Sequence, residues 1–395
     1  MIPSDRKKLY SRFIEGHKGK LHFAAHSHHF WPDVSREAQL EYWDDCAKSS
    51  DHKWDRVFSE IIPGVQKHIA RILNLKETDQ IVFAPNSHEL STRLLSLFLG
   101  KEKLKILTTS SEFHSWKRQV LRLKELPQVE VKMLDVETPS ALMSELKEEL
   151  KKNPDILFIS QVFFDSGMAF TQKELEEIVA MTPKETMIVI DGYHGFAAIP
   201  TDLSSLEGRI FYLAGGYKYA QSGEGVGFMV VPKGNWRPAN TGWFAEFGDL
   251  SKPKGSEVGY TSNAMAFMGA TQDPSGLYRF KAVWDQFLKL GIGVEEIHSV
   301  IKNLQILFIK GLGPEIINQG LKPLFTNELS HHGHFLTFRA QDEELAKRIQ
   351  ERLLQENILI DRRGERLRFG FGFYADEADV HQVINALKKL PTHFD

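Results

Sequence analysis

Short apolar runs alternate with amphipathic segments along most of the chain. The runs are rich in β-branched and aromatic residues and are bordered by turn residues, which predicts β-strands. The predicted strands are residues 80–84, 104–109, 130–135, 155–163, 186–191, 209–215 and 226–232. Between strands, segments 139–153 and 171–182 repeat apolar residues at helical spacing, and Thr171 opens the second as a cap would. Strands separated by helices predict an α/β fold with a large, mostly parallel seven-stranded sheet covered on both faces.

The pattern changes in the last third of the chain. A polar, glycine-bearing loop at 251–263 precedes a predicted helix at 277–291, and the remaining segments are predicted as strand, helix, two strands and helix. That order is typical of a smaller α+β domain. We therefore expect an N-terminal segment (1–50) that contributes to the active site and the small domain, a large domain (51–275) and a small C-terminal domain (276–395).

Composition and charge argue against several classes of protein. The 49 Lys and Arg residues nearly balance the 52 Asp and Glu residues, so the formal net charge of −3 offers no long-range attraction to nucleic acid or anionic membranes. The chain begins without the apolar segment of a secretion signal, and no apolar run is long enough to span a membrane. The single cysteine, Cys46, cannot form an internal disulfide. We expect a cytoplasmic protein that binds a small molecule.

The run IVIDGYHGFAAIP, residues 188–200, suggests a functional site. Its apolar strand ends at Asp191, and a glycine-bearing turn with His194 follows. Ligands of open parallel sheets bind beyond the carboxyl ends of the strands, where Asp191 is expected to lie. Considered alone, Asp191 would more often be a cap of the turn, because an aspartate before glycine commonly bonds its own backbone.

The next predicted strand leads to a lysine that changes this interpretation. Lys218 follows a glycine pair and stands between Tyr217 and Tyr219. A lysine at the mouth of an apolar pocket can have a lowered pKa and form an imine, while a nearby carboxylate can keep a heteroaromatic nitrogen protonated. A solvated loop lysine would explain Lys218 by itself. Together with Asp191, Lys218 favours pyridoxal 5′-phosphate (PLP) as the cofactor.

With these residues, the sequence resembles the class V aminotransferase superfamily of fold-type-I PLP enzymes, and within it kynureninase, over most of the chain. Kynureninases have an aspartate with a histidine three residues later, which resembles Asp191 and His194, and a Tyr-Lys-Tyr segment whose lysine carries the cofactor, which resembles residues 217–219. The resemblance implies a fold-type-I PLP-dependent transferase fold whose large domain binds PLP. It also implies an amino-acid substrate and a homodimer in which two subunits complete each site.

Three further segments extend the resemblance. TGWFAEF resembles the family's Gly-Trp-Phe segment, which implies that Trp243 reaches the cofactor phosphate. RLRFGFGFYADEADV resembles the family's Ile-Arg-Val-Ala-Pro segment, which implies that Arg368 grips the substrate α-carboxylate; a guanidinium on an apolar strand also needs an anion. AAHSHHFWPD lies where the family has an Asn-Ser-Leu-Gly turn, so His28 or His29 is expected to line the substrate pocket.

Two other segments could hold parts of the cofactor. Asn86, Ser87 and His88 precede an apolar helical run, and a helix N-terminus with small polar side chains can hold a phosphate, although an ordinary cap has the same pattern. In SSEFHSW, Phe113 or else His114 offers an aromatic face for a pyridine ring, with a core phenylalanine as the plain alternative.

Two positions depart from the kynureninase pattern. Where that family has a tyrosine in a Tyr-Thr-Gly turn, the chain has Phe164-Asp165-Ser166-Gly167, and where it has Asn-Pro, the chain has Asp273-Pro274. Both positions contact cofactor or substrate in kynureninases. Asp273 adds a negative charge where kynurenine would present a neutral group, which argues against kynurenine itself as the substrate. Asp165 either assists Asp191 at the pyridine nitrogen or lies away from it.

Several reactions use the same predicted residues. Lys218 would carry PLP and move the α-proton, while Asp191 keeps the ring protonated. Kynureninase-type cleavage of the Cβ–Cγ bond is the preferred hypothesis, and a class V aminotransferase or epimerase acting on another amino acid is the alternative. The superfamily's desulfurases need a cysteine on a loop after the lysine, whereas Cys46 precedes Lys218.

Two hypotheses from other classes are less favoured. A non-catalytic regulatory protein that kept the scaffold would not need both the lysine and the aspartate. The histidine clusters at 26–29 and 331–334 could suggest zinc, but neither completes a four-ligand set, so no metal is expected.

Overall fold

The computed structural model describes residues 1–249, 258–313, 316, 320–325 and 329–390, so much of the predicted polar loop lies outside the described residues. The strands are β1 (Leu21–Phe23), β2 (Ile81–Ala84), β3 (Leu104–Thr109), β4 (Val129–Leu134), β5 (Ile156–Ser160), β6 (Met187–Asp191), β7 (Ile210–Gly215), β8 (Gly227–Val230), β9 (Leu321–Pro323), β10 (Phe335–Ala340), β11 (Ile358–Arg363) and β12 (Arg366–Gly370).

The α-helices of the described residues are α1 (Pro3–Lys8), α2 (Ser11–Gly16), α3 (Val34–Ser49), α4 (Lys53–Arg56), α5 (Ile62–Leu73), α6 (Ser87–Ser96), α7 (His114–Leu123), α8 (Pro139–Leu150), α9 (Gln172–Met181), α10 (Ser275–Lys289), α11 (Val294–Gly311), α12 (Glu343–Gln355) and α13 (Glu377–Lys388). Short 3₁₀ segments cover Ser50–His52, Trp243–Asp249, Ala264–Phe267 and Leu329–His331, and Val57–Ile61 is a π-helical turn.

The first sheet has seven strands in the order β2-β8-β7-β6-β5-β3-β4. Strand β8 is antiparallel to both of its neighbours, and the other pairs are parallel. Every residue of β5 is buried, as is every residue of β7, because helices and loops cover both faces of the sheet. The predicted α/β fold and its seven-stranded, mostly parallel sheet are therefore confirmed. The predicted strand 155–163 ends earlier, at Ser160.

Local sequence accounts for the starts of several helices in this sheet. The Thr171 side chain accepts a hydrogen bond from the Glu174 backbone, and the Glu174 side chain bonds back, forming a capping box at α9. Thr138 caps α8 ahead of Pro139 at the first helical position. Asn86 caps α6 by accepting from the Glu89 backbone at 3.1 Å.

The second sheet has five strands in the order β1-β11-β12-β10-β9. Strand β1 comes from the N-terminal segment and pairs parallel with β11, so this sheet joins the two ends of the chain. Ala24, just after β1, forms a further bridge to Gly370. The domain boundary expected near residue 275 stays a prediction; α10 begins there and packs against α3.

The two sheets meet through a contact that shapes the site. The Arg368 guanidinium on β12 donates a hydrogen bond to the carbonyl oxygen of Phe164, in the turn that follows β5. The carboxyl ends of β5, β6 and β7 therefore face the second sheet. Among the described residues, no helix combines the length and hydrophobicity needed to cross a bilayer.

A glycine on β8 allows this strand to approach the start of α6. A Cβ atom at Gly227 would lie 2.4 Å from the Asn86 carbonyl carbon. We predict that Gly227→Ala lowers the free energy of unfolding by about 1–3 kcal/mol, because backbone atoms must move to admit the methyl group. Urea unfolding would measure this loss.

The matched control is Gly208→Ala, since Gly208 is exposed and a Cβ there would meet no atom within 4 Å. This variant should be neutral or slightly more stable. Equal stability of the two variants would show that the contact between β8 and the start of α6 can admit a methyl group at residue 227 without loss of stability.

Candidate active site

Lys218 lies in a buried aromatic pocket just beyond the end of β7. Its Nζ atom is 2.5 Å from His194 Nε2. The same atom lies 5.1 Å from the ring centroid of Tyr193, 5.6 Å from that of Phe113 and 5.8 Å from that of Tyr217. Burial lowers the pKa of Lys218 to about 7. Much of this amine is therefore uncharged at neutral pH, as a nucleophile requires.

Asp191 is the last residue of β6, and His194 lies in the turn that follows. Asp191 Oδ1 accepts a hydrogen bond from the Tyr193 backbone at 2.9 Å, as the simple capping interpretation predicts. Its position deep in the pocket raises the pKa of the carboxyl group, an effect that the charge of Lys218 opposes. Burial lowers the pKa of His194 well below its usual value, so its imidazole is neutral. The Asp191 carboxylate can still accept a hydrogen bond from a protonated ring nitrogen of a cofactor.

Behind Asp191 lies a buried acid, Glu112, that no sequence motif indicated. Glu112 is fully buried and accepts hydrogen bonds from the Thr109 hydroxyl at 2.7 Å and the Ser160 backbone at 3.2 Å. Its other oxygen lies 2.5 Å from the Ser160 hydroxyl, and Ser160 is the neighbour of Asp191 across β5 and β6. Burial raises the pKa of Glu112 to about 8, and the Asp191 charge adds to this rise. Glu112 is thus neutral beside Asp191 at neutral pH.

Arg368 has an internal partner that the sequence analysis also missed. Arg368 and Asp361 are cross-strand neighbours on β12 and β11. The Nε atom of Arg368 donates to Asp361 Oδ2 at 2.7 Å, and its Nη2 atom donates to the same oxygen. Arg368 is only 3% exposed. The anion that a buried guanidinium requires is therefore supplied in part by the chain itself.

The N-terminal segment places His26, which the sequence pattern did not assign to the substrate pocket, beside His194. His26 is fully buried, stacks on Phe335 and lies 6.4 Å from His194 between ring centroids. His28 is exposed and lies 3.7 Å from Glu224, with its ring 5.6 Å from that of Tyr217. Its proposed substrate contact stays a prediction. His29 is buried, and both of its ring nitrogens face backbone groups.

The predicted phosphate cradle and ring-stacking residues lie near the rim of the site. Ser87 and His88 form the first turn of α6, whose N-terminus Asn86 caps. Phe113 is 39% exposed and faces Lys218. Next to it, His114 begins α7. This arrangement is compatible with the expected phosphate and pyridine contacts.

Trp243 and Asp165, which were predicted to contact the cofactor, contact other side chains of the same subunit. Trp243 is 46% exposed and stacks on Phe244 at 4.0 Å between ring centroids. Asp165 forms an ion pair with Arg366 and accepts a hydrogen bond from Ser111 at 3.0 Å. Their cofactor contacts stay predictions.

Asp273 caps the start of α10. Its carboxylate accepts hydrogen bonds from the backbone and the hydroxyl group of Ser275, at 2.8 and 2.9 Å. The proposed substrate contact of Asp273 also stays a prediction.

The later histidine cluster is divided among separate contacts. His331 lies 3.1 Å from Glu174, and His334 lies 3.0 Å from His298. Within the described ranges, no group of three or more His, Cys, Asp or Glu side chains is arranged to hold a metal ion.

The described residues fit PLP on three counts. Lys218 is a buried amine that faces three aromatic rings. Asp191 is a carboxylate deep in the pocket, on the parallel strand next to β7. His194 Nδ1 is buried without a hydrogen-bond partner, as expected where a ligand completes a polar site. Lys218 would carry the cofactor, Asp191 would face its ring nitrogen and the α6 N-terminus would face its phosphate.

The fold and this site together define a PLP-dependent enzyme of fold type I. A comparison with family models agrees, since the class V aminotransferase model matches residues 23–383. The chain belongs to the class V aminotransferase family.

Solved structures with similar folds have low sequence identity to the chain. The cystine C–S lyase C-DES in complex with cysteine persulfide is 18% identical, with a TM-score of 0.79 over 95% of this chain and 99% of that chain. A C-DES variant with glycine covalently linked to its PLP cofactor is 16% identical, with a TM-score of 0.81 over 96% and 98% of the two chains. A cysteine desulfurase from Thermococcus onnurineus NA1 is 17% identical, with a TM-score of 0.80 over 98% of each. No curated protein matches the chain in sequence.

Glu112 gives a testable pH dependence of stability. Unfolded Glu112 loses its proton near its ordinary pKa, whereas the folded protein retains the proton up to a pKa of about 8. The unfolded state therefore binds fewer protons in this window, and stability falls as pH rises. Glu112→Gln should make this fall smaller between pH 5 and 8, because the amide cannot lose a proton and can still donate to Ser160. Urea unfolding across this range would measure the change.

Glu145→Gln is the control, because Glu145 lies on the exposed face of α8. It should leave the pH dependence as in the wild type. If Glu112→Gln also leaves it unchanged, Glu112 is ionised in the folded protein and the assignment is wrong.

Proposed function

We propose that this PLP-dependent enzyme cleaves the Cβ–Cγ bond of kynurenine or a related amino acid by hydrolysis, releasing alanine. The observation that carries the proposal is a buried lysine with a lowered pKa that contacts His194, together with Asp191 on the adjacent strand and Arg368 on the second sheet. The kynureninase-like segments described above supply each of these residues.

The chain's own groups have separable roles in this reaction. Bound PLP would supply an electron sink for the carbanion at the substrate Cα. Lys218 would hold the cofactor and then, as a free amine, move the Cα proton. His194 Nε2, at 2.5 Å, would accept or return a proton at Nζ. Asp191 would keep the ring nitrogen protonated through its negative charge.

Arg368 would fix the substrate by its α-carboxylate. Two of its donors are engaged by Asp361 and one by the Phe164 carbonyl, which leaves two N–H groups for an incoming anion. A carboxylate held in this way would orient the Cα–H bond toward Lys218.

The position of the chain's single cysteine supports carbon–carbon cleavage over desulfuration. Cys46 is half-buried on α3, and Tyr42 on the same helix lies close to both Cys46 and Asp273. In the superfamily's desulfurases the reactive cysteine follows the lysine. The residues of this chain therefore do not supply the sulfur-accepting group of that reaction.

Amino transfer from a different amino acid to a keto acid is the second candidate. Asp165 and Asp273 favour it, because each differs from the kynureninase residue and adds a negative charge. We also propose a homodimer, as the resemblance implies, because exposed aromatic side chains, Trp243 among them, are candidates for a surface that a second subunit would cover. Sedimentation of the active enzyme as a monomer would exclude this assembly.

A product screen distinguishes the candidate reactions. Purified holoenzyme would be incubated with L-kynurenine, 3-hydroxykynurenine, L-cystine, L-cysteine and a panel of other amino acids. Alanine with an anthranilate product supports the proposal, and keto acids indicate amino transfer. Release of persulfide or sulfide from cystine or cysteine without alanine from either kynurenine would overturn it.

Asp191→Ala tests the role of the carboxylate. We expect the fold and the absorbance of the Lys218-bound cofactor to persist, while kcat falls on the order of 100-fold or more because charge on the ring is no longer stabilised. Stopped-time product assays and absorbance spectra would measure both.

Asp135→Ala is the matched control, because Asp135 directly follows β4 and its carboxylate accepts from Ser110 at 2.9 Å at the edge of the same sheet. It should retain kcat. Full activity of Asp191→Ala would contradict the role given to this carboxylate. Lys218→Ala should remove the absorbance of the lysine-bound cofactor, because the amine that binds the cofactor is absent.

A further inference from the structure

His26 is a buried histidine whose ring nitrogens have no hydrogen bond within 3.5 Å among the described residues, although the Asp361 carboxylate lies 3.7 Å from Nε2. Its side chain is 0% exposed, so water does not satisfy these atoms. A buried polar group without a partner costs free energy, and native proteins rarely keep one without a functional reason. His26 therefore needs an explanation beyond packing.

The backbone beside His26 is adapted to this side chain. A Cβ atom on Gly370 would lie 2.1 Å from His26 Nδ1, so the absence of a side chain at Gly370 makes room for the imidazole. The opposite ring face stacks on Phe335, with 4.5 Å between ring centroids. These contacts fix the ring plane and direct Nε2 toward Asp361, 3.7 Å away.

His26 thus lies between two groups of the proposed mechanism. On one side is His194, the partner of Lys218. On the other side is Asp361, the partner of Arg368. An amino acid with its amine near Lys218 and its carboxylate on Arg368 would pass beside His26.

The carboxylate of Asp361 has room for a hydrogen bond from His26. Arg368 donates twice to one oxygen of Asp361, whereas a carboxylate has about four acceptor positions. Burial and the charge of Arg368 lower the pKa of His26 to about 3, although Asp361 opposes this effect. The imidazole is therefore neutral and carries one N–H, which can bind an anion without adding a buried charge.

We propose that His26 is a positioning residue whose Nε2–H group donates to Asp361 and so helps to hold the Arg368 guanidinium in place for the substrate α-carboxylate. The inference rests on the proposed function only in assuming that the enzyme binds an amino acid through PLP on Lys218. It does not depend on which bond is cleaved.

Two aminooxy reagents isolate the carboxylate contact without knowledge of the substrate. Aminooxyacetate and O-methylhydroxylamine would each attack the imine carbon that joins the cofactor to Lys218 through the same aminooxy nitrogen, forming an oxime and releasing the lysine amine, but only the first carries a carboxylate. The rate at which each removes the absorbance of the lysine-bound cofactor would be measured at several concentrations. The ratio of the two second-order rate constants gives the preference for a carboxylate.

We expect His26→Leu to lower this preference by about tenfold, as loss of a hydrogen bond to a charged group would, while the O-methylhydroxylamine rate is retained. His26→Gln should recover part of the preference, because its amide can donate in place of Nε2. His68→Leu is the matched control and should keep the preference, since His68 is a buried histidine on α5 whose ring nitrogens contact Asp285 and Arg71. Thermal unfolding of each holoenzyme would confirm folding.

An unchanged preference in His26→Leu would overturn the inference, as would an equal loss of both rates, which indicates a structural role. A wild-type enzyme without a carboxylate preference would also overturn it. Absence of any lysine-bound cofactor absorbance in the wild type would instead refute the proposed function, so the two failures are distinguishable.

Discussion

A primary amine buried among aromatic rings is the constraint on which the site depends. The hydrogen bond of Lys218 goes to a neutral imidazole, and its charge would be stabilised there only weakly. The protein instead keeps much of the lysine uncharged. The same burial keeps His194 neutral and favours a protonated Glu112. Asp191 is then the group that would carry the negative charge beside the ring nitrogen of the cofactor.

The two sheets make this arrangement possible. Parallel strands β5, β6 and β7 end at one edge, so loops distant in sequence converge there. The second sheet brings β12 against this edge through the contact between Arg368 and the Phe164 carbonyl. Because β1 belongs to the second sheet, the N-terminal segment also reaches the site and delivers His26.

Family and fold leave the reaction open, because one scaffold can support several chemistries. The similar solved structures include a cystine C–S lyase and cysteine desulfurases, at 14–18% identity. Specificity must come from side chains around the shared lysine and aspartate. In this chain these are His26, Asp361 and the aspartates at 165 and 273, which distinguish it from the kynureninase pattern that it otherwise resembles.

Much of the large domain and the centre of the site could be predicted from the chain alone. Apolar runs with turn residues at their ends identified all seven strands of the first sheet, and the Thr171 cap marked the start of α9. Asp191 and Lys218 were recognisable because Asp191 ends one strand and Lys218 lies three residues after the next, where local sequence determines position. These inferences required only interactions between residues close in the chain.

Other site features were decided by contacts between distant segments. The strand register of β11 and β12 pairs Asp361 with Arg368, and sheet order places Ser160 between Glu112 and Asp191. In the N-terminal segment, His26, rather than the predicted His28, is the buried histidine beside His194. Sequence spacing could not distinguish these two histidines, because the packing of Gly370 and Phe335 from the other end of the chain determines which ring is enclosed.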